Sequence, residues 1–201
     1  MSTLSKDTYH HGDLRAACLT AALELLAEGD ETTLSLRAVA RRAGVSANAP
    51  YRHYPDKDAL LGAMATQGFL DLRAKLAAAD AAAPDGKEFV RMAQAYVAYA
   101  IEHPALFRLM FGHPCSQSHP EATDAATQTF DVLATRVDAT IPPERRLAFM
   151  VGAWSLVHGL ASLILDGKFS SVQPSDVPEL VESTVSAVLA AGGDPRSRYS
   201  G

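Results

Sequence analysis

Two short helical patterns separated by Ala43-Gly44-Val45 constrain this chain more than any other feature. Leu36, Val39, Ala40 and Ala43 recur at helical spacing behind Ser35, whose hydroxyl suits a helix N-cap. Gly44 then stands where the first helix must end in a left-handed turn, a conformation glycine adopts at little cost. Ser46 can open a short second helix, and Pro55 closes it. Ala40 and Val45 are small enough to let the two helices cross closely. Such a pair, with its second member polar and aromatic, meets the pattern of a helix-turn-helix, a pattern shared with plain helical corners.

The rest of the chain is helical in period as well. Leu14, Ala17, Cys18, Ala21 and Leu25 predict a helix from Asp13 that Gly29 stops, preceded by a polar arm over Met1–His11. A long helix follows from Asp56 to Leu76, and Ala77–Gly86, with Pro84 inside it, reads as a loop. Further helices are expected over Lys87–His103, Pro104–Phe111, Glu121–Asp138, Pro143–Asp166 and Asp176–Ala191, with a polar loop at His113–Pro120 and a loose tail from Gly192. Pro143–Asp166 is apolar on most sides, which suits burial in a core and a subunit interface together. Strand runs and internal repeats are absent from the pattern, so the expected fold is all-α. A three-helix helix-turn-helix domain occupies residues 1–60, and a helical domain occupies residues 61–201.

Charge separates along the chain. The net charge is −5, yet Ser35–Lys57 carries Arg37, Arg41, Arg42, Arg52 and Lys57 against Asp56 alone, a local +4. A small basic patch on an acidic body suits a polyanion held at one face only. Two cysteines, Cys18 and Cys115, make neither a disulfide framework nor a CxxC motif, and no apolar run reaches a membrane span. The expectation is a reduced cytoplasmic protein with no membrane partner. Catalytic signatures such as GxSxG, a phosphate-binding glycine loop or paired carboxylates are missing, which argues against an enzyme.

The run LSLRAVARRAGVSANAPYRHYPDKDALLGAM, Leu34–Met64, resembles the DNA-binding core of TetR-type regulators. Its markers are Arg37, Ala43-Gly44-Val45-Ser46 at the turn, and Tyr51-x-x-Tyr54-x-x-Lys57 leading into Leu60-Leu61. Tyr9–Arg15 resembles the opening of one branch of that family, and Trp154 with His158-Gly159 resembles the branch whose C-terminal domain carries a Trp-His-Gly motif. The resemblance implies a homodimer joined through the last two helices of each subunit, a double-stranded DNA operator as partner, and a small-molecule effector. It also implies phosphate contacts from Arg37, Tyr51, His53 and Lys57. By their chemistry, Ser46 and Ala47 open the reading helix, Asn48 can pair bidentately with adenine, and Arg52 can reach guanine or phosphate. Pro50 departs from the family pattern and leaves the base preference open.

Tyr96, Phe107, Met110, Phe111, Phe130, Trp154 and His158 are the candidate lining of an effector pocket, and the same residue types serve equally as core. His103, His113, Cys115 and His119 match no zinc spacing, so neither a metal nor a cofactor is expected. Two alternatives stay open: a ligand-independent regulator or activator, and a metal- or redox-sensing regulator using His113, Cys115 and His119.

Overall fold

In a computed structural model, residues 11–29, 31–112 and 119–191 are described, and every regular element among them is helical. The elements are α1 (His11–Glu28), α2 (Leu36–Arg42), α3 (Lys57–Ala81), α4 (Glu88–Glu102), α5 (Pro104–Gly112), α6 (Pro120–Thr140), α7 (Arg146–Leu165) and α8 (Val177–Ala191). Single 3₁₀ turns stand at Pro50–Arg52, Pro143–Arg145 and Pro174–Asp176, each opening on a proline. The all-α expectation holds. Of the expected arm over Met1–His11, residues 1–10 lie outside the described residues and His11 opens α1, two residues before the expected start at Asp13; the tail from Gly192 also lies outside them.

The C-terminal boundary of α3 differs from the sequence expectation for an identifiable reason. α3 runs through Ala81, so the first half of the Ala77–Gly86 segment is helix rather than loop. Alanine is the strongest helix former, and Pro84 obstructs only its immediate neighbours and the carbonyl four residues back. Gly86 then takes φ +79° in the connection to α4.

The chain forms two compact units. The first comprises residues up to Phe69 together with Ala105–Ala125, and the second Leu70–Pro104 together with the residues from Ala126 onward. In the first unit, α1 contributes Cys18, Ala21, Ala22 and Leu26 to a core that Val39 of α2 and Leu60 and Met64 of α3 complete. The buried seam of α1 therefore ends on Leu26; Leu25 is only partly covered. Gly68 lets α5 approach closely: a Cβ there would stand 2.6 Å from Met110 Sδ.

In the second unit α4 is the central helix, packed against both α7 and α8, with Val97 and Ala100 of α4, Ala161 of α7 and Val181 of α8 fully buried. Arg136 of α6 fixes the ends of two neighbours, donating through Nε to Asp80 Oδ1 at 2.7 Å and through Nη2 to Asp80 Oδ2 at 3.0 Å, with Glu88 3.5 Å from Nη1. Contrary to the sequence expectation that no run reaches a membrane span, the segment from Pro143 to Leu165 is long and apolar enough to cross one, by length and composition alone. Within a single chain, only Leu160 and Ala161 of α7 are buried.

Candidate nucleic-acid interface

Local chemistry builds the turn as the sequence requires. Ser35 Oγ accepts from the Ala38 amide at 3.2 Å and caps α2. At its far end Gly44 takes φ +69°, the Val45 amide donates to Ala40 O at 3.0 Å, and the Gly44 amide donates to Arg41 O at 3.3 Å. This pair of bonds is a Schellman closure, and it turns the chain out of α2 with its last carbonyls satisfied.

The segment after the turn is not an α-helix. Residues 47–49 form turns and Pro50–Arg52 a single 3₁₀ turn. Pro50 has no N–H, so the Ser46 carbonyl cannot receive its i+4 bond and takes one from the Ala49 amide at 2.9 Å instead. The amides of Arg52 and His53 likewise reach only three residues back, at 3.2 and 3.0 Å. The short helix expected from Ser46 to Tyr54 is therefore tightened and interrupted, and the proline is its cause. Pro50 also gains a structural role, since its ring is buried.

Burial sorts the segment into two faces. Pro50 and Tyr54 point into the core, while Ser46, Ala47, Asn48, Tyr51 and Arg52 are exposed. Tyr51 is 47% exposed, a large value for an aromatic ring beside a core. Tyr54 is held twice: its hydroxyl donates to Arg15 O at 3.2 Å, and the Arg15 guanidinium lies 5.9 Å over its ring. Asp56 Oδ1 accepts from the Ala59 amide at 2.8 Å and caps α3.

The cations of the basic patch are not equivalent. Arg37 and Arg41 are exposed on α2. Arg42 turns back to α1, where it donates to Glu24 at 3.3 Å and to Glu28 at 2.9 Å. That hydrogen-bonded pairing holds the Glu28 carboxyl below its ordinary range. Charge counting along the sequence missed this, because Glu24 and Glu28 lie 18 and 14 residues upstream. Lys57 Nζ donates to Glu31 O at 2.5 Å. An ammonium has three protons, so two remain for an anion. His53 is half-buried, and its Nε2 is buried with no hydrogen-bond partner among the described residues.

The seven candidate pocket residues are divided between the two units. Phe107, Met110 and Phe111 belong to the first unit, where Phe111 meets Phe69 edge-on at 5.3 Å and Phe107 at 4.9 Å. Tyr96, Phe130, Trp154 and His158 belong to the second. There the Tyr96 hydroxyl lies 2.9 Å from His158 Nδ1, and Phe130 stands edge-on to Trp154 at 4.7 Å. Burial lowers the pKa of His158 and raises that of the Tyr96 hydroxyl.

A depressed histidine has a definite linkage sign. The unfolded chain takes up the proton first, so the contribution of neutral His158 to stability is full above about pH 6.5 and is lost as pH falls below it. The stability gap between the wild type and His158→Gln should therefore narrow from pH 7.5 to pH 5.5 in thermal melts. A gap that widens on acidification would contradict the assignment.

Of the suggested metal cluster, His113 and Cys115 lie outside the described residues. His103 stacks on Tyr99 at 4.8 Å, and His119 Nε2 lies 3.0 Å from Asp58 Oδ2. Among the described residues no three His, Cys, Asp or Glu side chains gather as a metal site.

Exposed apolar side chains gather on α7 and α8. Leu147 is 76% exposed and Val151 54%, one helical turn apart, with Trp154 following and Val188 and Leu189 on α8.

A capped helix, a glycine turn and an outward polar-aromatic segment, with helical elements following, define a helix-turn-helix DNA-binding regulator. The family comparisons agree. Residues 19–64 match the pattern described as bacterial regulatory proteins, tetR family, and residues 89–188 match the tetracyclin repressor-like C-terminal domain. The chain belongs to the TetR family of bacterial transcription regulators.

A solved protein of unknown function from Rhodococcus sp. is 33% identical, with a TM-score of 0.75 over 91% of this chain and 95% of that one. A TetR variant from Acinetobacter baumannii in complex with minocycline is 19% identical (TM-score 0.61; 90% and 95% covered). A TetR-like transcriptional regulator from Rhodococcus sp. is 18% identical (TM-score 0.63; 94% and 100% covered). These last two show a shared fold. No protein of curated function matches the chain in sequence.

Proposed function

We propose that this protein is a homodimeric, cytoplasmic repressor that grips a palindromic DNA operator and is released from it by a small-molecule effector. Residues 1–60 would serve DNA and residues 61–201 the effector and the dimer. The observation that carries the reading is the two-faced segment after Gly44, with Asn48, Tyr51 and Arg52 exposed while Pro50 and Tyr54 anchor it from beneath. Asn48 and Arg52 are the base-reading residues, and Ala47 can meet a thymine methyl. Ser46, Arg37, Tyr51 and Lys57 contact phosphate and set the register, and His53, whose Nε2 is buried, can join them only through Nδ1. A dimer is supported by the uncovered apolar face of α7 and α8, which water would otherwise have to solvate. The effector reading is supported by the polar pair Tyr96–His158 among the rings of Phe130 and Trp154. A solved member of the fold in complex with minocycline agrees with a small-molecule effector.

Selection of binding sequences from random DNA, followed by a compound screen for release, tests the reading. Arg52→Ala should cost on the order of 1–3 kcal/mol and relax preference at one base position. Lys57→Ala should instead weaken all sequences alike and flatten the dependence of log affinity on log salt by about one unit. Altered sequence choice in Lys57→Ala would overturn these roles.

A further inference from the structure

His119 has no place in the interface above, yet it is built into the helix that leaves it. Its carbonyl accepts from the amides of Ala122 and Thr123 at 3.1 Å each and from Thr123 Oγ1 at 3.3 Å, tying the residue to the first turn of α6. Its ring lies over Gly62 in the second turn of α3. A Cβ at Gly62 would stand 2.4 Å from the ring's Cγ, 2.6 Å from Cδ2 and 2.7 Å from Nδ1, so this seat exists only because the residue is glycine. Nε2 of the same ring lies 3.0 Å from Asp58 Oδ2, one turn earlier on α3. Two residues beyond His119, Glu121 approaches Arg15 of α1 at 3.9 Å, and Arg15 lies over the ring of Tyr54. The start of α6 thus touches α3 through His119 and α1 through Glu121, helices that follow and precede in sequence the segment carrying Asn48, Tyr51 and Arg52.

Exposed ion pairs contribute little to stability, and Asp58 is half-exposed. What this contact does instead is fix geometry. We infer that His119 is a positioning residue for DNA binding: seated on Gly62 and bonded to Asp58, it holds the start of α3 at the attitude in which the adjoining segment meets a groove. The inference rests on the DNA-binding reading above. Base-edge hydrogen bonds need close alignment, whereas phosphate contacts tolerate small shifts, so loss of the seat should lower specific binding more than non-specific binding.

The test uses the sequence selected by the wild-type protein, a scrambled duplex of equal length, and thermal melts. His119→Ala should bind the selected sequence on the order of tenfold more weakly while its affinity for the scrambled duplex and its Tm stay near wild type. Gly62→Ala keeps every side chain of the contact but displaces the ring, and should match it. His119→Gln, whose amide nitrogen can still reach Asp58, should recover most of the loss. The inference fails if all three variants bind the selected sequence as the wild type does. It also fails if both affinities fall together with Tm, or if His119→Gln is as impaired as His119→Ala. A wild type that enriches no sequence would sink the DNA-binding reading and this inference with it; variants that match a wild type that does enrich one would sink the inference alone.

Discussion

Replacing Leu147 and Val151 together by aspartate is expected to leave a folded monomer that binds its operator on the order of 10³-fold more weakly. Both side chains are more than half exposed on one face of α7, so a charge there costs the single chain little. In the proposed dimer the same face is a seam, where an unpaired carboxylate must be desolvated with no partner to offset it. A monomer reaches only one half-site, and its binding then approaches the non-specific level. Sedimentation and gel-shift measurements check the two parts separately. A variant that stays dimeric would remove α7 from the interface.

Tyr54→Ala is expected to destabilise the first unit by about 3–5 kcal/mol in urea unfolding, the range for an aromatic ring deleted from a core. Tyr54 is 2% exposed, packs in the cluster with Cys18, Leu60 and Met64, and spends its hydroxyl on Arg15 O. Tyr54→Phe removes only that bond and should cost about 0.5–1.5 kcal/mol. Tyr51→Ala, three residues away, should change stability by roughly 0.5 kcal/mol or less. Equal losses at Tyr51 and Tyr54 would erase the two-faced description on which the proposed function rests.

Much of this organisation was legible in the sequence, because helical period, caps and turn residues are local signals. Ser35, Gly44 and Asp56 each do in the fold what their chemistry suggests. The long-range pairings were not legible. Nothing local marks Arg42 as the partner of Glu24 and Glu28, or His119 as seated on Gly62, since the residues meet only after the helices pack. The effector candidates show the same limit: helical spacing identified Tyr96, Phe107, Phe130 and Trp154 as inward-facing types without saying which unit each would join. Pro50 lies between these cases. Its missing N–H was visible in the sequence, but the burial of its ring was not, because that depends on what packs against the segment.

The most direct test of the account is a hydroxyl-radical footprint of the wild-type protein on the sequence it selects from random DNA. Two symmetric protected tracts about one helical turn apart, roughly 34 Å, are the predicted result. A single unpaired tract, or protection that does not depend on sequence, would contradict it.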